Sequence, residues 1–189
     1  MISDDTKDKA ANILSDLKRA KSVKRDWLDE AEEDFAFAVG KQWRDEDKLT
    51  LERAGVPALT INKIQPNLFM ISGYQRQNRP DIVAYPEGDE DSLYAEVVTR
   101  LIHNAVKISD AGYKQSEQFE DGVICGEGWI EPYIDYSNDL VNGELRVKKC
   151  NPLNIFVDPA SVEYDLSDAE YIIKVSPGLT KNQVLKLFP

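Results

Sequence analysis

The sequence predicts an α+β fold in which N-terminal helices pack with a small, mainly antiparallel sheet, and two observations predict it. Apolar residues recur at three-and-four spacing through most of the first 125 residues, which is the period of an amphipathic helix. After "GEG" at 126–128, short segments rich in β-branched and aromatic residues alternate with turn residues, as in strands. We therefore distinguish a mainly helical region, 1–125, from a β-rich region, 126–189.

The first helical pattern ends at Gly40 and predicts either one bent helix or two. Its other face bears six acids and no base between residues 26 and 34. We expect these carboxylates to be solvated, because charged side chains are rarely buried without a partner. The apolar positions of the pattern are Ala10, Ile13, Leu14, Leu17, Ala20, Val23, Trp27, Ala31, Phe35 and Val39.

A polar stretch, 41–58, precedes a second helix whose two ends are marked in the sequence. Asn62 with Gln65 three residues on resembles a capping box, so the helix is expected to begin at about residue 63. It must end before Pro80, because a proline pushes the preceding residue out of the α region.

The rest of the helical region is expected to hold one short strand and two helices. "DIVAY" at 81–85 reads as the strand. The helix after it is marked by Leu93, Val97, Leu101, Ala105 and Ile108. A further helix runs from about residue 110 to 125, with Tyr113, Phe119 and Val123 as candidate core residues.

In the β-rich region, strands are expected at 129–136 and 144–150, joined by a hairpin whose turn is signalled by Asn142-Gly143. Two more strands are expected at 154–158 and 170–175. Thr180 with Gln183 then predicts a capped terminal helix over 181–188.

Composition narrows the possible partners. The formal net charge is -11, so the overall field repels DNA and anionic membrane, and contact with nucleic acid is expected to be weak and non-specific. The longest apolar runs are far shorter than the ~20 residues needed to cross a bilayer. Two isolated cysteines without a CxxC pair fit a reducing compartment.

The residue types that enzymes need are missing or scattered. There is no phosphate-binding GxxxxGK[ST] loop. His103 is the only histidine and is expected to be a surface or partly buried residue rather than a base or ligand. We therefore expect no catalytic residues, no cofactor and no metal. The rival functions are a carboxylate or metal-dependent enzyme and a cytosolic α+β protein-interaction domain.

Two acidic segments are the best candidates for that rival metal site. "DYSNDLVNGELR" at 135–146 begins like a calcium loop, but Leu140 stands where the sharp turn needs glycine and Arg146 where a bidentate Glu is needed. The acids of "EGDED" at 87–91 could bind Mg²⁺, yet acids are favoured at a helix start without any metal. Neither segment therefore predicts a metal site with a complete set of ligands.

Several stretches, in this order, resemble the N-terminal part of the portal protein of short-tailed, double-stranded-DNA bacteriophages. They are spaced over about two thirds of the chain. They are "DFAFAVGKQW" (34–43), "LTINKI" (59–64), "GYQRQNRPDI" (73–82), "GVICGEGWIEPYIDY" (122–136), "NPLNIFVDPAS" (151–161) and "DAEYIIKV" (168–175).

The resemblance implies a structural, non-enzymatic virion protein that assembles in the host cytoplasm. Members of that family form a homo-oligomeric ring, typically dodecameric, through which DNA is packaged and ejected. It also implies terminase, scaffold, capsid and tail proteins as partners. Portal proteins are several hundred residues long, and this chain resembles their wing-like α/β part. We therefore expect one compact domain that is part of a longer chain.

Arg76 and Arg79 of "GYQRQNRPDI" are the candidate contact residues, and three roles are open for them. First is a structural role, because cations complement the negative end of a helix dipole and can reach its unpaired carbonyl groups. Contact with a neighbouring subunit is second, and contact with DNA phosphates is third. Trp43 and Trp129 are expected to be packing residues, the alternative being an aromatic presented to a partner.

Overall fold

The computed structural model describes residues 4–88, 91–176 and 178–187. These residues form helices and two separate two-stranded antiparallel sheets, so the predicted α+β class is confirmed. The helices are α1 (Asp4–Ala38), α2 (Asp45–Arg53), α3 (Ile64–Gln77), α4 (Ser92–Ile108), α5 (Ala111–Cys125) and α6 (Lys181–Leu187). The strands are β1 (Trp129–Asp135), β2 (Glu144–Cys150), β3 (Ile155–Val157) and β4 (Ile172–Lys174).

The chain divides into two compact units. Unit 1 comprises Met1–Glu30 with Leu153–Pro189, and unit 2 comprises Ala31–Pro152. The boundary predicted at residue 125 marks the change from helices to strands. That residue 125 is a domain boundary stays a prediction. That the chain is one compact domain of a longer protein also stays a prediction.

Unit 2 is organised around α5, which uses different sides for different neighbours. Ser116 and Glu120 of α5 face α3. Lys114 and Asp121 face the β1–β2 hairpin, whose strands pair from Trp129 opposite Cys150 to Asp135 opposite Glu144. Helix α4 packs against both α5 and β2. Helix α5 therefore has α3 on one side and the hairpin on another.

Unit 1 joins the N-terminal part of α1 to the β3–β4 ribbon. Ala20, Ile155 and Phe156 are buried there. Two hydrogen bonds fasten the ribbon to the helix: Lys24 Nζ donates to the Ile155 carbonyl at 3.1 Å, and Tyr171 Oη donates to the Asp16 carbonyl at 3.3 Å. The long basic and aromatic side chains thus use their polar tips to satisfy backbone carbonyl groups.

The predicted helix ends are confirmed at α3 and α6. Asn62 Oδ1 accepts hydrogen bonds from the backbone N–H groups of Ile64 and Gln65. At α6 the capping box is reciprocal: Gln183 Oε1 accepts from the Thr180 N–H, and Thr180 Oγ1 accepts from the Gln183 N–H. Residue 188, the predicted last residue of α6, lies outside the described residues.

Helix α5 ends where the sequence predicts, at the glycines of "GEG". Gly126 has a φ of 83°, a left-handed conformation that glycine adopts without the penalty paid by other residues. Helix α1 is a single helix that ends just before Gly40, so the alternative of two helices is excluded.

The strand predicted at 81–85 is absent, and this expectation was wrong. The segment has no partner strand. Instead, the Ala84 N–H donates to Thr99 Oγ1 of α4 at 3.0 Å. The apolar residues of "DIVAY" led us to expect hydrogen bonds to the backbone carbonyls of a partner strand. A threonine hydroxyl accepts the Ala84 hydrogen bond instead.

Helix α2 was not predicted, because the stretch 41–58 is mainly polar. It contains no buried residue, so it lacks the apolar face on which helix prediction depends. Its only signals are electrostatic: acids in the first turn and Arg53 in the last, each at the end of the helix dipole that favours it.

Candidate functional site

The C-terminal end of α3 is fixed to α5 by Arg76. Its Nη2 atom donates to Glu120 Oε1 at 3.0 Å, and the Ser72 hydroxyl donates to the same carboxylate oxygen. Ser72 is buried, whereas Arg76 remains half exposed. The arginine therefore pairs across two helices while its outer side stays accessible to solvent.

Arg79 makes a second bridge to α5 one turn further along. Its Nη2 atom donates to Ser116 Oγ at 2.9 Å, and the Ser116 hydroxyl is fully buried. The guanidinium also lies 5.9 Å from the centre of the Tyr113 ring, within reach of a cation–π contact. A Cβ atom on Gly112 would overlap the Arg79 guanidinium, so the glycine provides the space for this bridge.

Both candidate arginines thus have partners within the chain, but not the carbonyl partners that the sequence suggested. The backbone N–H of Asn78 bonds the carbonyls of Tyr74 and Gln75, and Asn78 Nδ2 donates to the Tyr74 carbonyl at 2.9 Å. Asn78 therefore satisfies the carbonyls at the end of α3. Contact of Arg76 and Arg79 with a neighbouring subunit or with DNA stays a prediction.

A cavity of about 460 Å³ opens beside Arg79 within unit 2. Its apolar walls come from the segment after α3, from α4 and from the hairpin, and include Ile82, Val106, Ile130 and Val147. His103 and Asp81 also line it, joined by Nε2 and Oδ1 at 3.0 Å. His103 is half exposed, as predicted for a surface or partly buried residue.

A part-buried ion pair joins α5 to the hairpin, and sequence reasoning missed it. Lys149 Nζ lies 2.8 Å from Asp121 Oδ2, and Asp121 is buried. Burial raises the pKa of Asp121 above the usual aspartate range, while the hydrogen bond from Lys149 opposes that rise. The alternating pattern of a strand marks inward positions, but it does not show that an inward lysine meets an acid.

In unit 1, Asp158 of "NIFVDPAS" is a buried carboxylate that organises its surroundings. It accepts hydrogen bonds from the Ala160 N–H at 3.0 Å, the Glu170 N–H at 3.4 Å and Arg19 Nη2 at 2.6 Å. The Ala160 hydrogen bond, with those of Glu170 and Arg19, holds the pKa of Asp158 below its usual range. Its role is to hold a loop and a helix together.

The calcium-like segment uses its acids for turn formation. Asp135 Oδ1 accepts from the Ser137 N–H and Asp135 Oδ2 lies 3.2 Å from Arg146 Nε, while Asp139 Oδ1 accepts from the Asn142 N–H. Within 4–88, 91–176 and 178–187, no group of three or more His, Cys, Asp or Glu side chains could hold a metal ion. Two acids of "EGDED", Asp89 and Glu90, lie outside these ranges.

The tryptophans differ from each other in their packing. Trp43 is 42% exposed, so the expectation that it is a packing residue was wrong. Its Nε1 atom donates to the Leu59 carbonyl at 3.2 Å. Trp129 is half-buried, and its Nε1 donates to Glu127 Oε2 at 3.1 Å. The six acids between residues 26 and 34 are all exposed, as predicted.

Helices α3 and α4 of unit 2 expose lines of large apolar side chains. Leu93, Val97 and Leu101, the α4 stripe, are 72%, 47% and 60% exposed. Sequence periodicity marked these residues as a helix face, but the face of α4 that packs within the chain is formed by Ala95, Val98, Thr99, Ile102 and Ala105. On α3, Met70 and Tyr74 are 68% and 71% exposed and, with exposed Lys63, form the α3 outer face.

These geometries describe a chain with polar bridges between its helices and apolar side chains exposed on helix faces. Within the described residues, no helix is long and apolar enough to span a membrane. Comparison with curated proteins gives no match. A family model described as "Phage P22-like portal protein" matches residues 14–189, which is nearly the whole chain. The chain therefore belongs to the phage P22-like portal protein family, a family of structural components of the phage particle.

Proposed function

We propose that the chain is a non-catalytic subunit of a portal ring, the head–tail connector through which phage DNA is packaged and ejected. The observation that carries this proposal is the family match over residues 14–189. A ring subunit needs surfaces for its neighbours rather than a reactive cleft.

The exposed apolar residues of unit 2 support assembly. Contiguous apolar patches rimmed by polar residues are typical of protein interfaces, because exposing them to water is unfavourable. The α4 stripe and the α3 outer face both have this character. In a ring, neighbouring copies would cover such surfaces.

The charge of the chain supports a conduit that lets DNA pass. A net charge of -11 and six exposed acids between residues 26 and 34 disfavour tight binding of the phosphate backbone. A channel that held DNA firmly would oppose both packaging and ejection. We therefore propose weak, sequence-independent contact with the passing duplex.

Energy for packaging must come from another chain under this proposal. The sequence has no phosphate-binding GxxxxGK[ST] loop for nucleotide hydrolysis. We propose a terminase motor as the transient partner, with scaffold, capsid and tail proteins as the others. The proposed locations are the host cytoplasm during assembly and then the virion.

Light scattering of the full-length gene product, coupled to size-exclusion chromatography, tests the proposal. The expected result is one species whose mass is a fixed large multiple of the subunit mass, as a closed ring requires. A protein that stays monomeric at all concentrations, with native circular dichroism, would contradict the ring.

A further inference from the structure

The α4 stripe is the first of two exposed apolar surfaces of unit 2. Its residues recur every four positions, so they form one line along α4 on the side away from the packed face. Tyr94, beside the stripe, is 72% exposed. A line of leucine and valine side chains of this kind is typical of a helix that packs on both sides.

The α3 outer face is the second surface. Lys63, Met70 and Tyr74 are separated by seven and four residues, so they share one side of the helix. The opposite side of α3 meets α5 through Ser72 and Arg76. Phe69 is 64% exposed but does not belong to the outer face, because it lies three and seven residues before Ser72 and Arg76.

The two surfaces differ in charge. Residues 54–80, which contain α3, include three bases and no acid in a chain of net charge -11. Residues 85–101, which contain the α4 stripe, include five acids and one base. Asp89 and Glu90 lie outside the described residues, and Glu96 pairs with Arg100 at 2.6 Å, which leaves Glu87 and Asp91 as the other exposed acids of this segment. One of the α3 bases, Arg76, pairs with Glu120, but Lys63 is exposed beside the apolar residues. Among the described residues, Lys63 is exposed at the start of α3, and Glu87 and Asp91 are exposed at the start of α4, so the charges beside the two apolar centres have opposite sign.

We infer that the α3 outer face of one copy docks against the α4 stripe of the next copy, in a head-to-tail contact repeated around the ring. The inference rests on the proposed ring and names the surfaces that close it. An interface with an apolar centre and a complementary charged rim excludes water and fixes the orientation of the partners.

A second copy of this chain is the occupant that the charges favour. Pairing of two α4 stripes would place acids against acids, and pairing of two α3 outer faces would place bases against bases. Only the mixed pairing brings opposite charges together. A contact between two different surfaces is heterologous, and heterologous contacts generate closed rings or filaments rather than two-fold dimers.

Cysteine cross-linking of the full-length protein tests this pairing. Met70→Cys and Val97→Cys variants are mixed in equal amounts, assembled and treated with a short bis-maleimide. We expect covalent dimers in the mixture and a ladder of higher oligomers in the double variant. Each single variant alone is expected to give no dimer, because a heterologous contact brings position 70 against position 97. The unsubstituted protein serves as the blank, since Cys125 and Cys150 are buried.

Leu140→Cys is the matched control. Leu140 is an 85% exposed apolar residue of unit 2 outside both surfaces. Its mixture with Val97→Cys is expected to give no more dimer than the blank. Equal yields from Leu140→Cys and Met70→Cys would overturn the inference, because they would show cross-linking without a specific contact.

The mass of each mixture, measured by light scattering, separates the two claims. Rings without the 70-to-97 cross-link would overturn the docking and leave the proposed function standing. A protein that never forms rings would overturn both.

A second pair of variants tests the apolar contact without cross-linking. Met70→Asp and Val97→Asp place a charge at exposed positions, so each is expected to keep the melting temperature of the unassembled subunit and to lose at least tenfold in ring yield. Leu140→Asp is expected to assemble normally. Normal assembly of both test variants would overturn the docking.

Discussion

The Ser116 hydroxyl shows how single polar residues define unit 2. It is buried, accepts from Arg79, and its hydrogen points towards Gln75 Oε1 at 3.0 Å or the Gly112 carbonyl at 3.1 Å. Hydrophobic periodicity gave no signal for it, because a polar residue on an inward face interrupts the pattern on which prediction depends. The sequence located Arg79 at a helix end, but its partner was found only in the structure.

Replacing Arg79 tests its structural role. Arg79→Ala removes a charged donor from a buried hydroxyl, and we expect it to lower the free energy of unfolding by about 1 kcal/mol. Thermal unfolding of the purified protein measures this. Arg25→Ala, which removes an exposed pair with Asp26, is the control and is expected to change stability very little. Unchanged stability with lost assembly for Arg79→Ala would instead assign the residue to a subunit contact.

Gly128 is expected to tolerate no side chain. A Cβ atom there would overlap the backbone carbonyl of Gln118 on α5, which a rotamer change cannot relieve. We expect Gly128→Ala to destabilise unit 2 by about 1–3 kcal/mol, as overpacking does. Gly73→Ala is the matched control, because nothing lies near its Cβ position on α3 and helix propensity favours alanine by up to about 1 kcal/mol. Equal melting temperatures for the two variants would contradict this close approach.

Asp158 is expected to make stability depend on pH in the acid range. Its pKa is lowered in the folded state, so its contribution is present above the unfolded aspartate pKa of about 3.9 and is lost as pH falls through the folded pKa. Asp158→Asn should therefore lower the melting temperature most at neutral pH, and the effect should shrink progressively as the pH falls below about 3.9. Asp29→Asn, on the exposed acidic face of α1, is the control. A melting-temperature difference that does not change with pH would contradict the assigned cause.

At the scale of elements, local signals located most helices and strands. The β1–β2 hairpin follows its turn residues and strand alternation closely, and α3 and α6 begin at their predicted caps. Helix α2 and the segment 81–85 were mistaken for the same physical reason. One is a helix without a buried face, and the other is an apolar segment without a partner strand. In both, the apolar pattern is a poor guide: α2 forms without a buried face, and the segment 81–85 bonds to a threonine of α4 that is not visible in a local pattern.

The α4 stripe illustrates a different limit of sequence reasoning. Periodicity identified Leu93, Val97 and Leu101 as one face of a helix. It could not tell whether that face packs within the chain or against another copy, because both require the same side chains. Of the residues in the predicted pattern, Ala105 is buried in the packed face, together with Ala95, which the pattern did not include.

At the scale of the whole molecule, charge predicts behaviour towards DNA. We expect the full-length protein to retain almost no duplex DNA in filter binding at about 0.15 M salt, because few phosphates can be neutralised by a chain this acidic. Lowering the salt should raise retention only slightly. Nanomolar binding with a steep dependence on salt would contradict the proposed sliding conduit.

Electron cryomicroscopy of the assembled full-length protein tests the central claim most directly. The account predicts a closed ring around an open channel, with the α3 outer face of each subunit lying on the α4 stripe of the next. A monomer, or a two-fold dimer that pairs identical surfaces, would contradict the portal account of this chain.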